Sequence, residues 1–154
     1  MSTGPFLLGV DPGTTTGLAG ISATTGRVLF VASAAPLDAV HHVERWAASG
    51  RLAAAFVEDA RRLPVYHRNR HANRGERDRI ARGVGGVDLL TSMYLALLES
   101  LGVPAEGVEP SGQKKWDAKT CARVTGYEGR TNEHGRDALR LVYGRAAARP
   151  PRRD

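Results

Sequence analysis

Three short apolar runs, residues 6–11, 17–23 and 27–33, succeed one another with only tight turns between them, Asp11-Pro12-Gly13-Thr14 after the first and Thr24-Thr25-Gly26 after the second. Runs this short, broken by Pro and Gly, read as strands rather than core helices. A parallel pair needs a crossover of about a dozen residues, so neighbours joined this tightly must be antiparallel. The first third of the chain is therefore expected to be a three-stranded meander, and everything after it must pack on that sheet.

The remaining two thirds of the chain alternate between helix and strand. Pro36 opens a helix carrying Leu37, Val40, Val43 and Trp46 at intervals of three, and Ser49-Gly50 ends it. His41 and His42 lie on this helix, but adjacent residues point about 100° apart, so they read as solvated positions rather than as a ligand pair. Residues 52–57 read as a fourth strand ending at Glu58-Asp59. Residues 84–101, with Val87, Leu90, Tyr94, Leu97, Leu98 and Leu101, predict a long helix softened at its start by Gly85-Gly86. A fifth strand is expected over 103–109, a Lys-bearing helical stretch after Pro110, and a last helix from about Thr131-Asn132.

Right-handed crossovers then carry the fourth and fifth strands in parallel. The expected fold is α/β: a five-stranded mixed sheet, three antiparallel strands followed by two parallel strands, flanked by helices. With 154 residues, 42% of them hydrophobic, the chain suffices for one core. Residues 1–148 are read as one domain and 149–154 as a basic disordered tail.

The formal net charge of +6 rests mostly on Arg, and the isoelectric point is about 10.1. An acidic partner, nucleic acid first, is expected. The charge is clustered: Arg61, Arg62, Arg68, Arg70, Arg74, Arg77, Arg79 and Arg82 surround Tyr66, His67 and His71, a segment read as a phosphate-contacting loop. The lone Cys121 forms no intramolecular disulfide, and the first apolar run stops at Asp11, far short of a span or leader. A cytoplasmic protein without membrane contact is the expectation.

Strands one and four, side by side and parallel, would bring Asp11 and Glu58 to neighbouring carboxyl ends, where open α/β sheets place their sites. Two carboxylates brought together repel, and a shared proton or a divalent cation relieves them. The basic surroundings favour the cation, because an anionic substrate brings its own oxygens to it. On the last helix His134 and Asp137 stand at i, i+3 and share a face. Asp11, Glu58, His134 and Asp137 would form an oxygen-dominated pocket with one nitrogen, suited to Mg²⁺ or Mn²⁺.

Gly9-Val10-Asp11-Pro12-Gly13, Val57-Glu58 at a strand end, Arg82-Gly83 opening a long helix and His134-Gly135-Arg136-Asp137-Ala138 occur in the order found in RuvC-type Holliday junction resolvases, which the chain resembles over residues 6–144. The resemblance implies an RNase H-like fold, a homodimer joined through the 84–101 helix, and Mg²⁺-dependent cutting of opposing strands of a four-way DNA junction. By position it implies Asp11, Glu58 and Asp137 as metal-binding carboxylates, with His134 where many members carry an acid and some a His. Lys114 or Lys115 stands where the family has a lysine after the fifth strand, and Lys119 where it has one in the next helix, here taken as a DNA contact.

The implied chemistry is two-metal phosphodiester hydrolysis around Asp11, leaving 5′-phosphate and 3′-hydroxyl ends, with His134 ligating an ion or aiding product release and a lysine steadying the charged phosphate. Tyr66 is the candidate wedge for the junction centre. Three other readings stay open: an RNase H-like nuclease acting on RNA or RNA:DNA hybrid, a non-catalytic nucleic-acid binder, and an actin-like ATPase-type domain, whose phosphate loop also reads Asp-x-Gly-Thr-Thr. The last normally closes two lobes around a nucleotide, and this chain has residues for one.

Overall fold

The three amino-terminal runs form the expected meander: β1 (Phe6–Asp11), β2 (Thr16–Ser22) and β3 (Val28–Ala34) pair antiparallel in sequence. The chain then runs through α1 (Pro36–Ala48), β4 (Leu52–Glu58), a single 3-10 turn at Ala60–Arg62, α2 (Arg74–Ser100), β5 (Ala105–Val108), α3 (Ala118–Thr125) and α4 (Glu133–Val142). β4 lies parallel to β1 and β5 parallel to β4, so the sheet order is β3-β2-β1-β4-β5. The computed structural model describes residues 4–63 and 73–146, apart from the side chains of residues 77, 78, 80 and 81.

Strand alternation sorts the sheet into two faces. Leu8 and Val10 of β1, Leu18 of β2 and Val57 of β4 point to one side and pack with Ala39 and Val43 of α1 and Tyr94 and Leu98 of α2. Leu7, Ala19, Ile21 and Val31 point to the other and pack with Ala138, Leu139 and Val142 of α4 and with Cys121 of α3. Asp11 has the parity of Leu7, and Glu58 that of Ala54 and Phe56, which pack on the α4 side. Both carboxylates are thus committed to the α4 face by the same period of two that builds the core.

α4 lies unusually close to β1 and β2. A Cβ on Gly9 would overlap the carbonyl oxygen of Ala138, and one on Gly17 that of His134. From the helix side, a Cβ on Gly135 would stand 2.7 Å from Val31 Cγ1 and 2.9 Å from the Ala32 carbonyl oxygen. Glycine is needed at these positions because backbone meets backbone.

Three expectations are corrected. The long helix begins at Arg74, not near residue 84, because Asn73 caps it: its side chain accepts from the Glu76 amide at 2.9 Å while the Glu76 carboxylate accepts from the Asn73 amide at 3.2 Å. The basic segment from Arg74 to Arg82 is therefore helical rather than a loop. Next, β5 is confined to Ala105–Val108, since Val103 is still held by the end of α2, its amide donating to the Leu98 carbonyl at 2.9 Å. The third correction concerns the stretch after Pro110, which is not helical until Asp117 caps α3 through the Thr120 amide at 2.7 Å. The expected tail at 149–154 lies outside the described residues.

Gly17→Ala should destabilise the fold by about 2–3 kcal/mol, since neither backbone can yield without moving α4. Gly86→Ala is the control: no atom lies within 4 Å of its added Cβ, so helix propensity alone should stabilise it, by up to about 1 kcal/mol. Urea unfolding monitored by circular dichroism checks both, and equal midpoints would contradict the close-contact account.

Candidate functional site

The carboxyl ends of β1 and β4 open into a cleft of about 760 Å³ whose wall includes Asp11, Glu58, Lys115, His134, Asp137 and Arg140. Asp11 ends β1 directly opposite Gly17. Glu58 ends β4 one residue beyond the Val10–Val57 pair. Asn132 starts α4 by accepting from the Gly135 amide at 2.8 Å, and its own amide donates to Ser33 Oγ on β3. That cap sets the first turn of α4 over the sheet, so His134 and Asp137 face the cleft.

The strand ends are fastened from the opposite face. Thr16 Oγ1 donates to the Gly13 carbonyl at 3.1 Å and meets the buried Tyr94 hydroxyl at 3.0 Å, which lies 3.3 Å from the Pro36 carbonyl oxygen. Thr91 donates to the Glu58 carbonyl at 3.3 Å. α2 thereby steadies both the Asp-Pro-Gly turn and the end of β4.

Burial, then the neighbouring Asp137, raises the Asp11 carboxyl to about 7. Burial, then the Asp11 and Asp137 charges, raises Glu58 to about 7 as well. Among the described residues no donor hydrogen-bonds to either carboxylate, and the nearest base, His134 Nδ1, stands 3.7 Å from Asp11 Oδ2. Asp137 is compensated instead: Lys115 Nζ lies 2.7 Å from its Oδ2 and 2.8 Å from Glu133 Oε1, and this double pairing raises the lysine above its ordinary range.

The four carboxylate and imidazole candidates thus share one cleft. Among the described residues, however, no three His, Cys, Asp or Glu side chains stand close enough to hold a metal ion as they are. The donor set still fits a hard cation. Asp11 and Glu58 would supply part of a shell, which water and phosphate oxygens could complete, as is common for Mg²⁺.

Of the lysines, Lys115 enters the cleft, whereas Lys114 and Lys119 are exposed outside it. Arg61 is bound to Asp59 through Nε at 2.7 Å and Nη2 at 2.9 Å, which holds the Asp59 carboxyl below its ordinary range. The Arg62 guanidinium donates to the Gly107 carbonyl. Arg74, Arg79 and Arg82 are exposed along the start of α2. Tyr66, Arg68 and Arg70 lie outside the described residues, as does the side chain of Arg77.

Sequence reasoning missed Glu133 and Arg140. Both sit on the Asp137 face of α4, at i−4 and i+3 from it, and extending the spacing that linked His134 to Asp137 would have found them.

No family model matches the chain, and no curated protein does. Among solved structures, T. thermophilus RuvC in complex with Holliday junction substrate superposes with a TM-score of 0.59 over 90% of this chain and 91% of that one, at 18% identity. The chain has the RuvC fold. The RuvC-like sheet, three antiparallel strands and two parallel ones with flanking helices, is the expected RNase H-like arrangement.

The raised carboxyls make a signed prediction for the metal-free protein. Between about pH 4 and pH 7 the folded chain keeps protons on Asp11 and Glu58 that the unfolded chain has released, so stability falls as pH rises through that window. Asp11→Asn cannot ionise and should be more stable than wild type at pH 8 in EDTA, by on the order of 2 kcal/mol, with the difference vanishing below about pH 4. Thermal melts across pH check this, and a variant melting lower at pH 8 would contradict it.

Proposed function

We propose that the chain is a metal-dependent endodeoxyribonuclease that resolves four-way DNA junctions. The observation that carries this reading is the pair Asp11 and Glu58, half-buried side by side at the ends of parallel strands, both raised to about 7 and, among the described residues, neither hydrogen-bonded to a cation. Support for the substrate comes from the RuvC fold, from the Holliday junction bound by the T. thermophilus protein, and from the exposed arginines at the start of α2, the helix whose Gly83 and Val87 line the cleft.

Asp11, Glu58 and Asp137 would hold Mg²⁺ or Mn²⁺, with His134 at the rim. When bound, the divalent ion supplies positive charge against the phosphate and acidifies water. Asp11 and Glu58, once deprotonated, would hold the ion at the strand ends, beside the place a phosphodiester would enter. Lys115 brings a permanent positive charge to the same wall, where charge grows on the phosphate oxygens. The His134 side chain is 48% exposed and lies 3.7 Å from Asp11 Oδ2 on the same cleft wall, placed to ligate an ion or to aid product release. The products would be 5′-phosphate and 3′-hydroxyl ends.

A second copy would place two clefts on opposing strands. Leu89 and Met93, one turn apart on α2 and 71% and 36% exposed, support α2 as the contact.

Incubation with Mg²⁺ and a mobile four-way junction, beside linear duplex, single strand and RNA:DNA hybrid, tests the reading. Paired nicks in the junction are expected, abolished by EDTA. Asp11→Asn should bind the junction with near wild-type affinity and cut about a thousand-fold more slowly. Equal cutting of linear duplex would remove junction selectivity, preferential cutting of the hybrid would move the substrate to RNA, and cleavage retained by Asp11→Asn would displace the site.

A further inference from the structure

The cationic side chains on the cleft wall differ in what they have left to offer. Lys115 is held by two carboxylates. Arg145 donates from Nε to the Leu141 carbonyl at 2.7 Å, lies 4.0 Å from Glu106 Oε2, and covers the Phe56 ring at 4.5 Å. Arg140 is anchored by one nitrogen only. Its Nη2 donates to Ser111 Oγ at 3.0 Å and to the Gln113 carbonyl at 3.3 Å, and its guanidinium lies 5.9 Å from the centre of the Trp116 ring.

Among the described residues, Nε and Nη1 of Arg140 donate no hydrogen bond, and no carboxylate stands within ion-pair distance of the guanidinium. Arg140 is nevertheless one turn beyond Asp137 on the same helix and lines the cleft that contains Asp11 and Glu58. An arginine that pairs with neither carboxylate, is held in place through Nη2 and keeps the N–H groups of Nε and Nη1 unspent retains a charge-assisted donor for an incoming anion.

We propose that Arg140 is a phosphate-binding residue of this cleft, donating an unspent guanidinium N–H to a non-bridging oxygen of a phosphodiester beside the carboxylates. Ser111 and Gln113 are positioning partners that hold Nη2 and so fix the guanidinium's orientation, and Trp116 backs its plane. The assignment rests on the cleft being a phosphodiesterase site and adds a substrate contact that neither the basic segment nor the lysine candidates supplied.

The test compares wild type with Arg140→Gln, Arg140→Lys and Ser111→Ala, using a four-way junction and a linear duplex. Binding is titrated against salt in EDTA, where no strand is cut, and single-turnover cleavage is then followed at saturating protein in Mg²⁺. Arg140→Gln should lower the slope of log affinity against log salt by about one and slow cleavage by about ten-fold or more. Arg140→Lys should restore the slope, since the charge remains, but only part of the rate, since an ammonium cannot both keep the Ser111 and Gln113 anchors and present a planar donor to the phosphate. Ser111→Ala should keep the wild-type slope.

A slope unchanged in Arg140→Gln, or a rate defect in Ser111→Ala equal to that of Arg140→Gln, would make Arg140 a loop fastener and overturn the proposal. If wild type binds DNA but cuts none, the nuclease reading fails while the slope comparison still decides the phosphate contact.

Discussion

The closeness of α4 to β1 and β2 is the constraint on which the cleft depends. Gly9 and Gly17 on the strands and Gly135 on the helix each remove a Cβ that would meet main chain or the neighbouring strand. Restoring any one would lift the helix that carries His134 and Asp137 away from Asp11, and a displacement of about 1 Å is enough to cost a well-aligned site about a hundred-fold in rate. Two small apolar residues, Ala19 and Ala138, are fully buried in the same cluster. The packing that stabilises this face and the spacing of the site are therefore one requirement.

The charge pattern arises from the same geometry. Strand parity sends Asp11 and Glu58 to the α4 face, and parallel pairing of β1 with β4 brings their ends together. Burying both without donors is unfavourable to the ionised pair, which is why each rises to about 7. Asp59, one residue beyond Glu58, shows the opposite solution: Arg61 binds it through two nitrogens and lowers it. Two adjacent acids on one strand end are thus treated differently, one closed into an internal pair and the other left facing the cleft.

Much of this was legible in the chain. The meander, the parallel fourth and fifth strands and the meeting of Asp11 with Glu58 came from run lengths, turn residues and crossover handedness, and the shared face of His134 and Asp137 from helical spacing, while the family resemblance implied the grouping of Asp137 with the two strand-end carboxylates. The helical start at Arg74 was legible too, through Asn73 and Glu76 at capping-box spacing, but Gly85-Gly86 marked a softened helix start near residue 84 and the dense charge before it read as a loop. Tyr94 and Arg140 were hidden for a different reason. Their partners lie far off in sequence, Thr16 at 78 residues and Ser111 at 29, and no local period connects such pairs.

The stretch between β5 and α3 shows how a site wall can be built without secondary structure of its own. Arg136 reaches it through the Trp116 carbonyl at 2.9 Å, Asp137 through Lys115 at 2.7 Å, and Arg140 through Ser111 and Gln113. All three side chains leave one helix within five residues, so their spacing is set by a rise of about 1.5 Å per residue rather than by the loop. The helix pressed against the sheet by glycine contacts therefore also holds the facing wall. One rigid element carries Asp137 and fastens the cations beside it, so a shift of α4 would move that whole wall as a unit against Asp11 and Glu58. The glycine contacts, by fixing where α4 rests, set the distance between the two halves of the site.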